Sequence, residues 1–262
     1  MPTEPITQHI AELRALGGSR VWSLMISLFG DLAQESGQTI DGPILSAIMN
    51  VLEVKPEAVR VALHRLRNDG WIVSEKSGRI SRHSLTDKGR RESAAASPRI
   101  YAMPELGGAE WQLVITPDAE PATIEAMTVQ GFTTITSRLF VGPVSARPIQ
   151  PALSFRGEDA PDWLRAEAVP EDLRAPYEAL CQTLERLKAD LPDPGRVTPI
   201  ETAVLRCLIV HNWRRLVLKH PPLPRALISD DWPGHHCHLL VAELLALFPR
   251  PALADIELGQ AA

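Results

Sequence analysis

Histidine and cysteine side chains with the chemistry of metal ligands cluster near the C-terminal end of the sequence, at His235, Cys237 and His238. On a helix, His235 and His238 would share a face that Cys237 does not. A tetrahedral zinc site would therefore need His211 or His220 as a further ligand. We favour the simpler interpretation, in which polar histidines begin a helix after an Asp-Trp-Pro-Gly turn, and we predict no metal site.

Acidic residues that could hold a catalytic metal are not grouped elsewhere in the sequence. Asp118 lies in a Thr-Pro-Asp-Ala-Glu-Pro loop with no matching cluster of acids, and a metal-dependent nuclease needs such a cluster. The sequence has no glycine-rich phosphate loop, no GxSxG elbow and no HExxH motif. We therefore predict no catalytic residues and no cofactor. The alternative is a metal-dependent hydrolase or nuclease that uses the central part of the chain or the cluster at His235–His238.

Basic residues are concentrated between Lys55 and Arg91, where ten lysines and arginines stand among four acids. This segment carries a net charge of +6 in a chain whose net charge is −5, so the remainder carries −11. A basic patch on an acidic protein is typical of a surface that binds a phosphate backbone. The residues of this patch that we predict to contact DNA are Lys55, Arg60, His64, Arg65, Lys76, Arg79 and Arg82.

Three helices must position these residues. Apolar residues recur at spacings of three and four over residues 19–34, with Ser19 as the N-cap. A second helix covers residues 44–52, with Asp41 as its cap and a proline in its first turn. A third helix begins at Pro56 and ends at Gly70. Its apolar stripe consists of Val59, Ala62, Leu63 and Leu66, and its opposite face of Glu57, Val61, His64, Arg65 and Asn68, with Arg60 on the flank.

Two short strands are predicted after the third helix, over residues 71–76 and 79–85, around a Ser-Gly turn. Three helices followed by a basic hairpin is the order of a winged helix-turn-helix, in which the third helix enters the major groove and the wing reaches phosphates. A charged helix face or a basic hairpin alone is more often a solvated surface. In this order, with the charge on both elements, the pattern favours DNA binding.

Four motifs of the sequence, at residues 21–31, 59–71, 211–224 and 230–234, together resemble those of the PaaX family of phenylacetic-acid-catabolism repressors. Residues 21–31 are similar to the opening helix of that family, and residues 59–71 to its recognition helix, including the Gly-Trp that begins the wing. Residues 211–224 and 230–234 look like its C-terminal signature. The resemblance implies a dimeric repressor that binds double-stranded operator DNA and is released by an aryl-CoA thioester, typically phenylacetyl-CoA. A regulator of the same fold with another aromatic or acyl effector is a second alternative.

The resemblance further implies an α+β fold with an N-terminal winged helix-turn-helix, a central ferredoxin-like domain and a helical C-terminal domain. We place these domains at residues 19–97, 98–192 and 193–262. The central elements predicted from the residues themselves are a strand over 110–116, a helix over 121–130, strands over 132–141 stopped by Gly142-Pro143, and a short strand over 153–155. Residues 163–191 are predicted to be helical, with interruptions at Pro170 and Pro176.

The C-terminal segment is predicted to bind the effector. Thr198, Pro199 and Glu201 form a capping box at the start of a helix. The candidate ligand-binding residues near and beyond its end are Trp213, Arg214, Arg215, Lys219 and Trp232. Cations suit the phosphates of CoA, and indoles suit an adenine or aryl ring. The alternative is that the two arginines form ion pairs and that Trp232 belongs to the core.

Nothing in the sequence indicates a membrane or secreted protein. The longest apolar stretches are about half the roughly 20 residues that a membrane helix needs, and the N-terminus lacks the basic start and apolar core of a secretory signal. The three cysteines are far apart and odd in number, which predicts reduced, buried thiols. We predict a cytoplasmic protein without a membrane partner, and the resemblance adds a homodimer.

Overall fold

The computed structural model describes residues 4–18, 20–103, 110–190 and 197–256. Residue contacts divide the chain into two units, each assembled from separate segments. The first unit contains residues 1–102, 179–215 and 237–262, and the second contains residues 103–178 and 216–236. The predicted N-cap Ser19 lies outside the described residues. The division into three consecutive domains stays a prediction.

Four helices begin the first unit: α1 (Glu4–Ala15), α2 (Val21–Leu32), α3 (Gly42–Val51) and α4 (Pro56–Asn68). The last three confirm the helices predicted from apolar periodicity. Gly70 has a φ of +69°, the left-handed conformation that a glycine beyond a helix end adopts without strain. Helix α1 was not predicted, although Ile6, Ile10 and Leu13 are buried at helical spacing.

The predicted hairpin is confirmed as strands β2 (Ile72–Ser77) and β3 (Ile80–Leu85), which pair antiparallel around Gly78. A two-residue strand, β1 (Ile40–Asp41), pairs with the outer side of β3 and makes a three-stranded sheet. Helix α5 (Asp87–Tyr101) follows, and the Oγ1 of its N-cap Thr86 accepts a hydrogen bond from the backbone N–H of Gly89 at 3.1 Å.

Parts of three helices from the second half of the chain complete the first unit: α8 (Arg174–Ala189), α9 (Pro199–Val217) and α10 (Pro233–Leu247). The unit includes α8 from Ala179 onward, α9 as far as Arg215, and α10 from Cys237 onward. The capping box is confirmed, because the Thr198 backbone N–H donates to Glu201 Oε2 at 2.8 Å and the Glu201 N–H donates to Thr198 Oγ1 at 3.4 Å. Helix α9 is buried on all sides from Glu201 to Trp213. Its polar side chains must therefore find partners inside the protein.

The second unit contains a four-stranded antiparallel sheet of order β5-β6-β4-β7. Its strands are β4 (Trp111–Ile115), β5 (Thr133–Thr136), β6 (Leu139–Pro143) and β7 (Leu153–Gly157), and α6 (Pro121–Val129) joins β4 to β5. The prediction that Gly142-Pro143 stops the strand is wrong, since β6 continues through both. Strand β5 pairs with β6 only as far as Val141. Pro143, which lacks a backbone N–H, therefore lies beyond the last hydrogen bond between β5 and β6.

Apolar clusters pack on both faces of β4 and β6, because successive side chains of a strand point to opposite sides. One apolar cluster contains Val114 and Phe140 with Met127 and Phe132. The other contains Trp111 and Val141 with Leu164 and Ala168 of α7 (Asp162–Ala168). Pro170 lies between α7 and α8 as predicted, but Pro176 lies in the first turn of α8 and does not interrupt it, because a first-turn proline breaks no helical hydrogen bond.

The protein is therefore of the predicted mixed α+β class. Among the helices of the described ranges, none is long and apolar enough to cross a membrane.

Candidate nucleic-acid interface

Helix α4 separates an apolar face from a polar one, as its sequence predicts. Val59, Ala62 and Leu66 are buried against the rest of the first unit. Arg60 and His64 point outward and are exposed. Between them lies Val61, whose exposure of 70% is unusual for an apolar side chain on a helix that packs so well on its other side. The exposed face of α4 thus offers cationic, polar and apolar groups together.

Arg65 is held on this face by two neighbours. Its guanidinium carbon lies 4.4 Å from the ring centroid of Trp22 on α2, a cation–π distance. Its Nε lies 3.5 Å from Asp69 Oδ2. The arginine remains exposed, so it is oriented without being withdrawn from solvent.

The hairpin β2–β3 places a second set of cations beside α4. Lys76 and Arg79 are exposed near its tip. Arg82 is also exposed, but its Nε lies 3.2 Å from the Asp41 carboxylate of β1. The predicted cap residue of α3 thus pairs with the hairpin and makes no side-chain capping bond. With Lys55 at the N-cap of α4, every residue predicted to contact DNA is exposed on one helix or one hairpin.

Side-chain hydrogen bonds connect the hairpin to α4. Arg67 Nη1 donates to Ser74 Oγ at 3.4 Å, and this hydroxyl lies 2.8 Å from His83 Nδ1. Burial lowers the pKa of His83, and the positive charge of Arg67 lowers it further. A neutral His83 is a buried structural group of the hairpin, which explains why it is not part of the exposed basic set.

A buried charge network supports the helix that precedes this surface. Arg206 of α9 donates two hydrogen bonds to the carboxylate of Asp31 on α2, both at 2.8 Å. The Asp31 side chain is fully buried and that of Arg206 is 4% exposed. Tyr101 and Arg250 also donate to Asp31, at 3.0 and 3.2 Å. Sequence reasoning missed this network, and its one visible signal is an aspartate inside an apolar helix.

The predicted ligand-binding residues of the first unit are engaged with the protein itself. Trp213 is 2% exposed, donates from Nε1 to the Ile100 carbonyl at 3.2 Å, and packs against His238 with ring centroids 4.9 Å apart. Arg214 donates to Ser23 Oγ at 2.9 Å, and its buried Nε has no hydrogen-bond partner. Arg215 donates to the Gly17 carbonyl. In this arrangement the indole ring is closed to a stacking ligand.

The two predicted ligand-binding residues of the second unit differ in exposure. Lys219 is exposed. Trp232 is 5% exposed and packs edge-on against Tyr177 with ring centroids 5.5 Å apart, while the Arg174 guanidinium lies 5.4 Å from its ring. The structure therefore places the five candidates in two units, and their role in effector binding stays a prediction.

Histidines and cysteines considered as metal ligands contact protein groups or are buried. His238 Nε2 lies 2.6 Å from the Ala102 carbonyl oxygen, and Cys237 is buried. His220 Nε2 lies 3.0 Å from the Tyr177 hydroxyl. His211 is buried with its Nδ1 3.2 Å from Ser27 Oγ, and burial and nearby Arg214 lower its pKa to about 4. Over residues 4–18, 20–103, 110–190 and 197–256, no three His, Cys, Asp or Glu side chains are grouped closely enough to hold a metal ion.

Comparison with known families decides the identity of the chain. A profile described as "PaaX-like protein" matches residues 20–89, and one described as "PaaX-like protein C-terminal domain" matches residues 170–254. Together they cover more than half of the sequence. The chain belongs to the PaaX-like protein family. Its members are transcriptional repressors, not enzymes, which confirms the predicted family and the prediction of a non-enzyme.

Two individual proteins extend the comparison. The "Transcriptional repressor PaaX" of Escherichia coli (strain K12) is 28% identical, over 95% of this chain and 86% of the relative. The solved structure of "Uncharacterized protein Rv0674 from Mycobacterium tuberculosis" superposes with a TM-score of 0.54 at 18% identity, over 86% of this chain and 94% of that one. At this identity the second match supports the fold alone.

Proposed function

We propose that the chain is a DNA-binding transcriptional repressor of aromatic acid catabolism, with phenylacetate as the acid. In this proposal an aryl-CoA thioester, such as phenylacetyl-CoA, releases it from its operator. One observation carries the proposal: in a member of the PaaX-like family, all seven residues predicted to contact DNA are exposed on α4 and the adjoining hairpin. Phosphate-binding cations on two adjacent elements are the footprint of duplex DNA.

The proposal includes a winged helix-turn-helix over residues 19–97, with α4 as the recognition helix and β2–β3 as the wing. The element order α2-α3-α4-β2-β3 supports it. For residues 98–192 the proposal is a ferredoxin-like domain, supported by the strand order of the second sheet. The fold departs from the βαββαβ pattern because residues 144–152, between β6 and β7, contain no helix. Residues 193–262 complete the proposed division as a helical C-terminal domain.

The proposed repressor acts as a homodimer. A single recognition helix with one short wing offers few contacts, and a two-fold dimer doubles them on an inverted repeat. For the effector, Lys219 remains a candidate contact for CoA phosphates. The other four candidates would have to change their contacts within the protein on binding: Trp213, Arg214, Arg215 and Trp232.

An electrophoretic mobility-shift assay with DNA from the gene's own neighbourhood tests the proposal. We expect binding that weakens steeply with salt, because phosphate contacts release counterions. Phenylacetyl-CoA should release the DNA and free phenylacetate should not, since only the thioester carries phosphates.

A matched pair of double variants controls for charge. Arg60→Gln with Arg65→Gln removes two cations from α4, and Arg147→Gln with Arg156→Gln removes two exposed cations from the second unit. The first pair should abolish the shift and the second should preserve it. Equal effects, or no shift by the wild type at low salt, would overturn the proposal.

A further inference from the structure

A pocket of about 320 Å³ opens in the first unit beside the recognition helix. Its apolar lining comes from Leu13 of α1, Val21 and Leu24 of α2, Leu52 beyond α3, and Leu208 of α9. A dry apolar cavity of about 150 Å³ is enough to hold benzene. This pocket therefore has room for an aromatic ring or a short acyl group with its linker, while a larger polar portion would extend out of the mouth.

Three cationic side chains also line the pocket, those of Arg14, Arg20 and Lys55. Arg20 is the N-cap of α2 and Lys55 the N-cap of α4, and neither helix start has a side-chain cap. Uncapped helix N-termini add partial positive charge to that of the three side chains. A pocket lined by apolar side chains and by cations suits an amphipathic anion.

One acidic side chain of the lining is already paired with a cation. Glu53 lines the pocket and forms an ion pair with Arg14. Its φ of +52° is the one positive value at a non-glycine residue among the described residues. This conformation closes the C-terminus of α3, because the Glu53 N–H donates to the Asn50 carbonyl and the Val54 N–H to the Met49 carbonyl, both at 2.9 Å. Glu53 and Lys55 both belong to the turn that leads from α3 into α4.

We propose that this pocket binds an aryl or acyl anion, whose apolar group lies among Leu24, Leu52 and Leu208 and whose carboxylate or phosphate displaces Glu53 from Arg14. Displacement breaks the ion pair that links α1 to the turn immediately before α4, so ligand binding changes the position of the recognition helix. This link to DNA release rests on the proposed repressor function; binding in the pocket does not. The pocket shares none of the five residues predicted from the C-terminal segment.

Calorimetric titration of the full chain with phenylacetyl-CoA, phenylacetate and CoA tests the pocket. The first probe has an aryl group and phosphates, the second an aryl group and a carboxylate, and the third phosphates without an aryl group. We expect at least one aryl probe to bind and CoA alone to bind more weakly than phenylacetyl-CoA. Failure of both aryl probes to bind up to about 1 mM overturns the proposal, as does equal binding of CoA and its thioester when phenylacetate does not bind.

Three variants locate the bound probe. Arg14→Gln should weaken binding about 10-fold or more, because a charge-assisted hydrogen bond is lost. Glu53→Gln should strengthen binding about 2- to 5-fold, because the competing carboxylate is gone. Val21→Phe should weaken binding by filling the pocket. A merely structural role for the Arg14–Glu53 pair would move both charge variants in the same direction.

Matched substitutions outside the pocket complete the design. Arg156→Gln removes an exposed cation from β7, and Val129→Phe enlarges a valine that is 78% exposed on α6. Both should bind the probe like the wild type. If Val21→Phe and Arg14→Gln also bind like the wild type, the pocket is not the site. Operator binding without probe is measured on every sample. If the protein binds the probe in this pattern but does not bind DNA, the pocket proposal stands and the proposed repressor function is wrong.

Discussion

Val61 is the residue whose exposure most directly suggests how a DNA sequence would be read. An apolar group at the centre of the exposed face of α4 has a natural partner in the C5-methyl group of thymine in the major groove. Replacing thymine by deoxyuridine removes that methyl group alone. We expect one such replacement in the operator to weaken wild-type binding by about 0.8 kcal/mol, the value of one buried methylene.

The Val61→Ala variant provides the control for that measurement. It should be insensitive to the same replacement and should fold normally, since the side chain it shortens is mostly in solvent. If every deoxyuridine replacement affects the wild type and Val61→Ala alike, Val61 does not contact a thymine.

Asp31 should contribute more to the free energy of unfolding than surface carboxylates do. Asp31→Asn leaves Arg206 buried with an uncompensated charge, which typically costs about 3–5 kcal/mol. Glu57→Gln, which breaks an ion pair whose partners are both 72% exposed, should cost at most about 1 kcal/mol. Urea denaturation of the two variants measures the difference, and similar losses would contradict a supporting role for the buried network.

His211 should make stability depend on pH. Its folded pKa of about 4 lies below the ordinary value of 6.5, so between these pH values the unfolded chain binds a proton that the folded chain does not. Stability is therefore unaffected above pH 6.5 and is lost as the pH falls towards 4, by up to about 3 kcal/mol. Arg214 and Arg215 are the neighbouring cations that oppose protonation.

The His211→Asn variant separates this loss from the titration of carboxylates. Chemical denaturation at pH 7, 5.5 and 4.5 should show a smaller decline for His211→Asn than for the wild type. Parallel declines would mean that His211 protonates as readily in the folded protein as in the unfolded chain.

At the scale of elements, the hairpin should act through charge alone. Lys76→Gln or Arg79→Gln should weaken binding to all DNA sequences alike and lower the slope of log affinity against log salt by about one. Arg156→Gln should leave the slope unchanged. A loss confined to one operator position would instead indicate that the hairpin contacts a base.

Elements with clear periodicity were predictable and short or paired ones were not. Helices α2 to α4 follow from apolar spacing, and the hairpin follows from alternation around Gly78. Strand β1 has two residues, too few to show a period. Continuation of β6 through Pro143 depends on where strand β5 stops pairing with it. The pairing of two strands is a property of the assembled sheet and cannot be predicted from the residues of one strand.

The same reasoning applies to the candidate site. The exposed cations of α4 and the hairpin could be found from residue type and helical phase. The pairing of Asp31 with Arg206 spans 175 positions of the chain, and nothing local relates the two. Burial of Trp213 was likewise hidden, because a tryptophan beside two arginines is compatible with a ligand site and with a core helix.

At the scale of the whole molecule, the proposed homodimer predicts the form of the operator. We expect an inverted repeat whose half-sites are separated by about 10 base pairs or a multiple. Changing that spacing by about 5 base pairs should abolish tight binding, because it places the half-sites on opposite sides of the duplex. A monomer in light scattering at micromolar concentration that still binds one half-site tightly would contradict this expectation.

The order in which a ribosome makes this chain matters for the first unit, because that unit is assembled from three separate segments. At about 5–20 residues per second, some 9 to 35 s pass between synthesis of Asp31 and of Arg206. During that time the nascent helix α4 exists without the helices that complete the core of the first unit. Chains terminated early would carry the basic surface without a stable fold, and we expect them to be degraded before they compete with finished repressor for an operator.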